Sequence, residues 1–263
     1  MSMVINTNVA SLASQRHLAS SRADMEQAME RLSSGKRINS AMDDAAGLSI
    51  SHSLDAKIAG LNQAVRNAND GIAMINLAEG AMEEVSIMLT RMKELSIQAA
   101  SETYVAANQT HLDAEYSALA TEIGRIYSTT DFNGVSVMAA GTVDVAVEDD
   151  ASAITVTFTT PSAASTATLG TNASAGSSLV DAAIVEIDTQ RAALGAVANR
   201  LEHTAANLMS RVEHQSAARS RIEDANYAVE SANLARAQVL QQAGTAMLSQ
   251  ANASTQNVLS LLK

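Results

Sequence analysis

This chain of 263 residues contains no cysteine, no tryptophan and one proline, and aromatic residues make up only 2% of it. Without cysteine it has neither a disulfide framework nor a thiolate metal site. A globular enzyme core of this size usually contains more large aromatic side chains. The single proline, Pro161, permits very long uninterrupted helices. Because hydrophobic residues still reach 47%, the composition is typical of helical bundles and coiled coils.

Positive charge is also scarce, and the net charge is −11. This balance argues against nucleic acid as a partner, because phosphates require a basic face. The segment Met1–Gln15 is uncharged and lacks the positively charged and apolar regions of a secretory signal peptide. The sequence is therefore consistent with a cytoplasmic protein or with export by a route that cleaves no signal peptide.

The motifs of common enzymes are missing as well. The five histidines include no pair at a spacing of four and no HExxH, which argues against a zinc hydrolase. The glycine-rich nucleotide-binding motifs and the serine nucleophile motif are also absent. Adjacent carboxylates such as Glu83 and Glu84 point to different faces of a helix. We predict no enzyme, no catalytic residue, no cofactor and no metal.

The C-terminal stretch Leu240–Leu262 has no charged residue, although it has apolar residues at helical spacing. An ordinary surface helix of a soluble protein carries a charged outer face. Membrane insertion is disfavoured, since six amide side chains lie within these 23 residues. We therefore expect a helix surrounded by other protein chains, with the uncharged N-terminus as its first partner.

The N-terminal region predicts a helix from about residue 6 that ends at Gly35, a residue suited to the left-handed position after a helix. Ser40 and Asp43 have the spacing of a capping box for a second helix. That helix, residues 42–100, would form a rod roughly 90 Å long. A rod of this length must pack against partners of comparable length.

Apolar heptads support this long helix. One row repeats every seven residues, and a second row follows its first three members by four. The two rows are Leu54, Leu61, Ala68, Ile75, Met82 and Leu89, and Ile58, Val65 and Ile72. Candidate partners are a shorter helix over 112–126 and a C-terminal seam at seven-residue spacing: Leu194, Leu201, Leu208, Gln215, Ile222 and Val229. Gln215 and Arg219 are polar seam residues that would fix register.

The middle of the chain changes in character. Phe132-Asn133-Gly134 predicts a turn, and two alternating segments, Thr142–Val147 and Ile154–Thr159, predict a β-hairpin. Residues 162–178 are rich in Ser, Thr, Ala and Gly, which predicts a solvated loop or a surface for O-linked sugars. The predicted fold is mainly α: a long antiparallel helical bundle of N- and C-terminal segments, with a small central β-hairpin and loop.

Several long motifs resemble bacterial flagellin. The N-terminal matches are Ile5–Asn8, Glu30–Ser40, Asp43–Gly47, Arg66–Gly71 and Asp131–Gly134. The C-terminal matches are Leu194–Val197, Ala218–Tyr227, Leu240–Gly244 and Asn257–Lys263. The resemblance covers about residues 4–138 and 180–263, and the short middle resembles no known segment.

The resemblance implies a structural subunit that self-assembles into the flagellar filament. It implies an inner terminal domain of residues 1–39 with 223–263, an outer helical domain of 40–139 with 179–222, and a short variable segment, 140–178. The implied location is the extracellular filament, reached unfolded through the flagellar export apparatus. The implied partners are identical subunits, an export chaperone at the C-terminal region, the filament cap, hook–filament junction proteins and a Toll-like receptor of hosts.

The resemblance also assigns roles to residues. For self-assembly these are Ile5, Val9, Leu12, Leu240, Met247, Val258, Leu259 and Leu262. The connecting segments contain Gly35, Arg37, Asp43, Asp44, Arg221, Glu223 and Asp224. A receptor epitope would include Arg91, Leu95 and Glu115, which could equally be solvated helix surface or subunit contact. Alternatives for the whole chain are a hook–filament junction protein of the same family and a non-exported coiled-coil scaffold.

Overall fold

The computed structural model describes residues 7–101, 105–148, 152–160 and 173–260. The helices are α1 (Val9–Ser34), α2 (Ala45–Ala99), α3 (Ala106–Thr129), α4 (Ala173–Glu223) and α5 (Tyr227–Ser260). The strands are β1 (Asp131–Phe132), β2 (Val135–Ser136), β3 (Gly141–Ala146) and β4 (Ala153–Phe158). The predicted mainly α fold with a central hairpin is confirmed. Of the helices described, none has both the length and the apolarity needed to cross a membrane.

The chain divides into two compact units. The first comes from Met1–Ala56 and His214–Lys263, and the second is Lys57–Glu213. The helices α1 and α5 belong to the first unit, whereas α3 and the hairpin belong to the second. Both α2 and α4 contribute residues to each unit.

The predicted heptad row of α2 forms the core of the second unit. Leu61, Ala68, Ile75, Met82 and Leu89 are at most 1% exposed. The predicted companion row of Ile58, Val65 and Ile72 is partly buried, and Val65 and Ile72 pack against the core. More deeply buried residues follow the first row by three: Ala64, Ala78, Val85 and Met92. Residues three and four positions after each seam residue lie on opposite sides of the seam, and the side three residues on is the more deeply buried one.

The burial predicted for the C-terminal seam is observed within α4 but not beyond its end. Leu194, Leu201 and Leu208 are buried, and Leu208 packs with Leu61. Gln215 is half-buried, and its amide oxygen has no hydrogen-bond partner among the described residues. The seam does not continue to Val229, which is 52% exposed. The reason is that α4 ends at Glu223 and α5 starts a new helix at Tyr227, so the heptad phase is lost.

The predicted β-hairpin is present and lies against the core of the second unit. In the antiparallel pair β3–β4, Gly141 lies opposite Phe158 and Ala146 opposite Ala153. Its buried face includes Val156 and Phe158, both at most 2% exposed. Two amides attach it to the helices: Asn67 donates to the Ala146 carbonyl and Gln190 donates to the Thr157 carbonyl, each at 3.0 Å.

The other predicted features of the middle have mixed outcomes. The turn between β1 and β2 is confirmed, with Asn133 and Gly134 at φ of 53° and 80°, as a two-residue hairpin of the primed type requires. The predicted loop over 162–178 is too long, because α4 already begins at Ala173. The rest of that predicted loop lies outside the described residues.

Candidate assembly surface

The helices α1 and α5 pack as an antiparallel pair within the first unit. Asn8 caps α1 by accepting a hydrogen bond from the Ser11 backbone, and its amide donates to the Ala251 carbonyl at 3.0 Å. Ala28 and Ala237 are 2% and 3% exposed. These small side chains allow the two helix backbones to approach closely.

Gly244 marks one point of close approach. A Cβ atom placed on it would lie 3.2 Å from Leu18 Cδ1, a tight contact. An ion pair lies nearer the connectors, where Arg31 Nη1 meets Glu230 Oε1 at 3.0 Å. The Glu230 side chain is only 9% exposed and also accepts from Asn233 Nδ2 at 3.3 Å. The pair is therefore held by polar contacts as well as by small residues.

The predicted self-assembly residues of this pair are exposed. Val9 and Leu12 of α1 are 67% and 51% exposed, and Leu240 and Met247 of α5 are 49% and 62% exposed. Val258 and Leu259 belong to α5, but their side chains are outside the described part, and Ile5 and Leu262 lie outside the described residues altogether. We call Val9, Leu12, Leu240 and Met247 the assembly surface.

Sequence reasoning did not select two further apolar residues of the pair, Met29 and Val239, which are 44% and 64% exposed. Their spacing resembles that of core residues, so no signal in the sequence separates them. Soluble monomers rarely expose many large apolar side chains together. Because α5 carries no charge after Arg236, this surface is suited to burial against other protein surfaces.

The two connectors, residues 35–44 and 224–226, meet in a short antiparallel bridge. Gly35 adopts the predicted left-handed conformation, with φ of 72°. Lys36 pairs with Asp224, the Arg37 amide donates to the Glu223 carbonyl at 2.6 Å, and the Ala225 amide donates to the Gly35 carbonyl at 2.9 Å. The structure therefore brings the predicted residues Gly35, Arg37, Glu223 and Asp224 together, although Asp224 and Arg221 have exposed side chains.

Glu223 has the most buried carboxylate of this bridge, at 6% exposure. One oxygen pairs with the Lys36 ammonium and the other accepts from Ser51 Oγ at 2.5 Å. The hydrogen bond from Lys36 is the largest cause that lowers the pKa of Glu223 below its usual value. The same contact raises the pKa of Lys36. Arg219 and Asp55 form a second ion pair nearby.

Asp43 and Asp44 shape the first connector, but differently from the prediction. Asp43 accepts from the backbone amides of Ser40 and Asn39 at 2.9 and 3.1 Å, and these bonds lower its pKa. The predicted capping box is therefore a turn that precedes the helix. Asp44 caps α2 instead, because Gly47 N donates to its side chain at 2.8 Å. The helix begins at Ala45, not at residue 42.

The predicted epitope residues lie in the second unit. Arg91 donates to Glu94 and to Glu115 at 2.9 Å each, and Glu115 is the largest cause that raises the Arg91 pKa. Both Arg91 and Glu115 are about half exposed, at 48% and 46%. Leu95 is 0% exposed, so it supports this surface from beneath. Among the described residues, no group of His, Asp and Glu has the arrangement of a metal site.

Comparisons with known families cover both ends of the chain. Residues 5–143 match the family described as "Bacterial flagellin N-terminal helical region". Residues 177–262 match "Bacterial flagellin C-terminal helical region". Together these matches include every element of the α1–α5 pair and both connectors.

Relatives match along their full length. The flagellin of Halalkalibacterium halodurans is 41% identical over 99% of this chain and 100% of the relative. The flagellin of Bacillus subtilis is 38% identical with the same coverage. The flagellar filament 33 kDa core protein of Treponema phagedenis is 37% identical, also over 99% of this chain and 100% of the relative. Nothing in these comparisons favours the junction protein or the scaffold.

The crystal structure of Bacillus cereus flagellin is similar in fold. It has a TM-score of 0.51 and 28% sequence identity, and the match covers 59% of this chain and 94% of that structure. The similarity thus extends from the sequence motifs to the fold of the matched part of the chain.

Proposed function

Because this chain belongs to the bacterial flagellin family and is a structural subunit of the flagellar filament, we propose that its α1–α5 pair is the part that contacts neighbouring subunits. One observation carries the proposal: the assembly surface exposes four large apolar side chains by 49 to 67% in the single chain. Burial of the remaining exposed area against another copy would contribute about 1–2 kcal/mol for each side chain.

A seeded elongation assay tests this role. Leu240→Asp and Met247→Asp should prevent incorporation into filament seeds, because each places a charge in a contact that must become dry. Ser231→Asp is the matched control, since Ser231 is an exposed polar residue of the same helix that lies before the uncharged stretch. If the two apolar variants elongate seeds as fast as Ser231→Asp, the assembly surface lies elsewhere.

We propose the domain division that the resemblance implies. Residues 1–39 with 223–263 form the inner part of the filament, 40–139 with 179–222 form the outer helical part, and 140–178 is the variable segment. Limited proteolysis of assembled filaments should cut first within 140–178. First cuts in the terminal segments would contradict this division.

We further propose that both terminal arms, residues 1 to about 35 and about 228 to 263, order only on assembly. Ordering costs about 1–2 kcal/mol per residue in backbone entropy, so about 70 residues oppose it by roughly 100 kcal/mol. Small residues dominate the α1–α5 contact, so it has little bulky apolar surface to offset this cost. Protected amides over 240–262 in dilute monomer, measured by hydrogen exchange, would contradict the proposal.

The remaining partners are proposals from the family. The subunit is exported unfolded without cleavage of a signal peptide, an export chaperone holds its C-terminal region, and it assembles between the hook–filament junction and the cap. It performs no catalysis. Secretion measured in an export-deficient strain tests the route: continued secretion there would contradict it.

Arg91, Leu95 and Glu115 are proposed as a receptor epitope, supported by the exposed Arg91–Glu115 ion pair. Arg91→Ala should weaken stimulation of a Toll-like flagellin receptor by the monomer. The control is Arg125→Ala, because Arg125 forms a comparable exposed ion pair with Glu122 on α3. Equal stimulation of the receptor by Arg91→Ala and by the wild type would mean that these residues are ordinary helix surface.

A further inference from the structure

Glu223 contacts the first connector and α2 at the same time. Its carbonyl accepts from the Arg37 amide at 2.6 Å, and its carboxylate pairs with Lys36 and accepts from Ser51 Oγ at 2.5 Å. Its exposure is only 6%. The surrounding charged groups are Arg219 of α4, Asp55 of α2, and Arg37 and Asp224 of the connectors. A single residue at the end of α4 thus joins three segments of the first unit.

The pairing of α1 with α5 continues the register of this bridge. A displacement of several residues toward the N-terminus of α1 corresponds to a displacement of nearly as many residues toward the C-terminus of α5. The opposed residues, from the connectors outward, are Lys36 and Asp224, Arg31 and Glu230, Leu18 and Gly244, and Asn8 and Ala251. The connector bridge is therefore the first paired position from which the register of α1 against α5 is counted.

The helix contact itself offers few large side chains to specify register. Its buried positions include the small residues Ala28 and Ala237, and Leu18 over Gly244 is one close fit. Polar contacts therefore share in specifying register. Two of them are Arg31–Glu230 and Asn8–Ala251, and the bridge at Glu223 is a third.

We propose that Glu223 is a positioning residue for filament assembly. Its carboxylate, held by Lys36 and Ser51, sets the register in which α1 and α5 pair. That register decides which apolar side chains lie together on the assembly surface. The inference rests on the assembly role proposed above, but its main test reads the register directly.

The absence of cysteine allows a background-free register assay. A Cβ on Gly244 would lie 3.9 Å from Leu18 Cβ, within the range for a disulfide. In the full chain assembled under reducing conditions and then oxidised, Leu18→Cys with Gly244→Cys should cross-link efficiently. The slipped reporter, Leu18→Cys with Leu248→Cys, should not. Adding Glu223→Gln should move the cross-link from the first pair toward the slipped pair.

Seeded elongation supplies the second readout, without cysteines. Glu223→Gln should raise the critical concentration about tenfold or more, as expected for loss of a charged hydrogen bond. Asp224→Asn is the matched control, since Asp224 is the adjacent carboxylate and its side chain is exposed. The exchange Lys36→Glu with Glu223→Lys should recover most of the elongation, because the ion pair is restored in reverse.

The outcomes separate the two proposals. Elongation by Leu240→Asp and Met247→Asp at the wild-type rate would overturn the assembly role of this surface, whereas the cross-link pattern in the assembled chain would still report register. An unchanged cross-link pattern in Glu223→Gln would overturn the positioning role, even if elongation is lost. Normal elongation of Glu223→Gln, equal to Asp224→Asn, would overturn it as well.

Discussion

The core of the second unit and the helix pair of the first use similar residues with opposite exposures. Leu61, Ile75 and Leu89 of α2 are 0% exposed, whereas Leu12, Leu240 and Met247 are 49 to 62% exposed. All six lie on amphipathic or apolar stretches of long helices. The second unit covers its apolar rows with other helices and a hairpin. Within the part of the chain that the structure describes, α1 and α5 pack mainly on each other, so the pair leaves large apolar side chains exposed.

Deletion of residues 240–263 should produce the largest difference between the two regions, because it removes much of α5 and leaves the second unit intact. We expect polymerisation to be abolished, because most of the uncharged part of α5 is removed. The second unit should keep its thermal unfolding midpoint, since its core lies between Lys57 and Glu213. Circular dichroism melts and seeded elongation measure the two effects. A large drop in the midpoint would show that the second unit depends on the terminal pair.

Truncation of single apolar side chains should show the same difference between the two regions, with smaller changes in unfolding free energy. Leu89→Ala removes a side chain that is 0% exposed and should cost about 2–5 kcal/mol of unfolding free energy. Leu240→Ala should change the stability of the dilute monomer by less than about 0.5 kcal/mol. Urea unfolding of both variants checks this. Equal losses would mean that the helix pair is already a stable core in the monomer.

Two glycines of α2 provide a matched pair, one from each unit. At Gly47 a Cβ would lie 2.6 Å from Ile38 Cδ1 and 2.5 Å from Asp44 Oδ2, so Gly47→Ala should destabilise by about 1–3 kcal/mol. At Gly80 nothing lies within 4 Å, so Gly80→Ala should stabilise α2 by about 0.5–1 kcal/mol. Thermal unfolding of assembled filaments would read both. Opposite signs are the essential result.

The smallest effect concerns pH and the connector bridge. The pKa of Glu223 is lowered from its ordinary value of 4.5, so its contribution is present above that value and is lost as the pH falls through the lower folded value. The pKa of Lys36 is raised from 10.5, so its contribution is present below 10.5 and is lost as the pH rises through the higher folded value. Filament stability measured against pH should show a shallower acid loss in Glu223→Gln than in Asp224→Asn.

Much of the helical architecture could be predicted from the sequence, because periodicity reports which residues share a face. The seam from Leu61 to Leu89, the end of α1 at Gly35, and the hairpin all follow from local patterns. The predicted start of α2 was wrong because Ser40 and Asp43 form a turn that precedes the helix, whereas Asp44 caps it. The companion row is only partly buried, because periodicity cannot say which flank of a seam will be covered more deeply.

The assembly surface was named from uncharged termini and a family resemblance, whereas the bridge needed the folded chain. Ser51 carries no signal as a partner of Glu223, since 171 residues separate them in the sequence. Met29 and Val239 look like core residues until the covering elements are known.

The amino-acid sequence dictated the helices, their apolar rows, the turn at Asn133-Gly134 and the absence of thiol chemistry, because these depend on neighbours within a few residues. Tertiary structure decided which rows are buried, that the hairpin joins the core, and that Glu223 meets Lys36 and Ser51. Those outcomes depend on contacts between segments far apart in the chain, which local propensity does not encode.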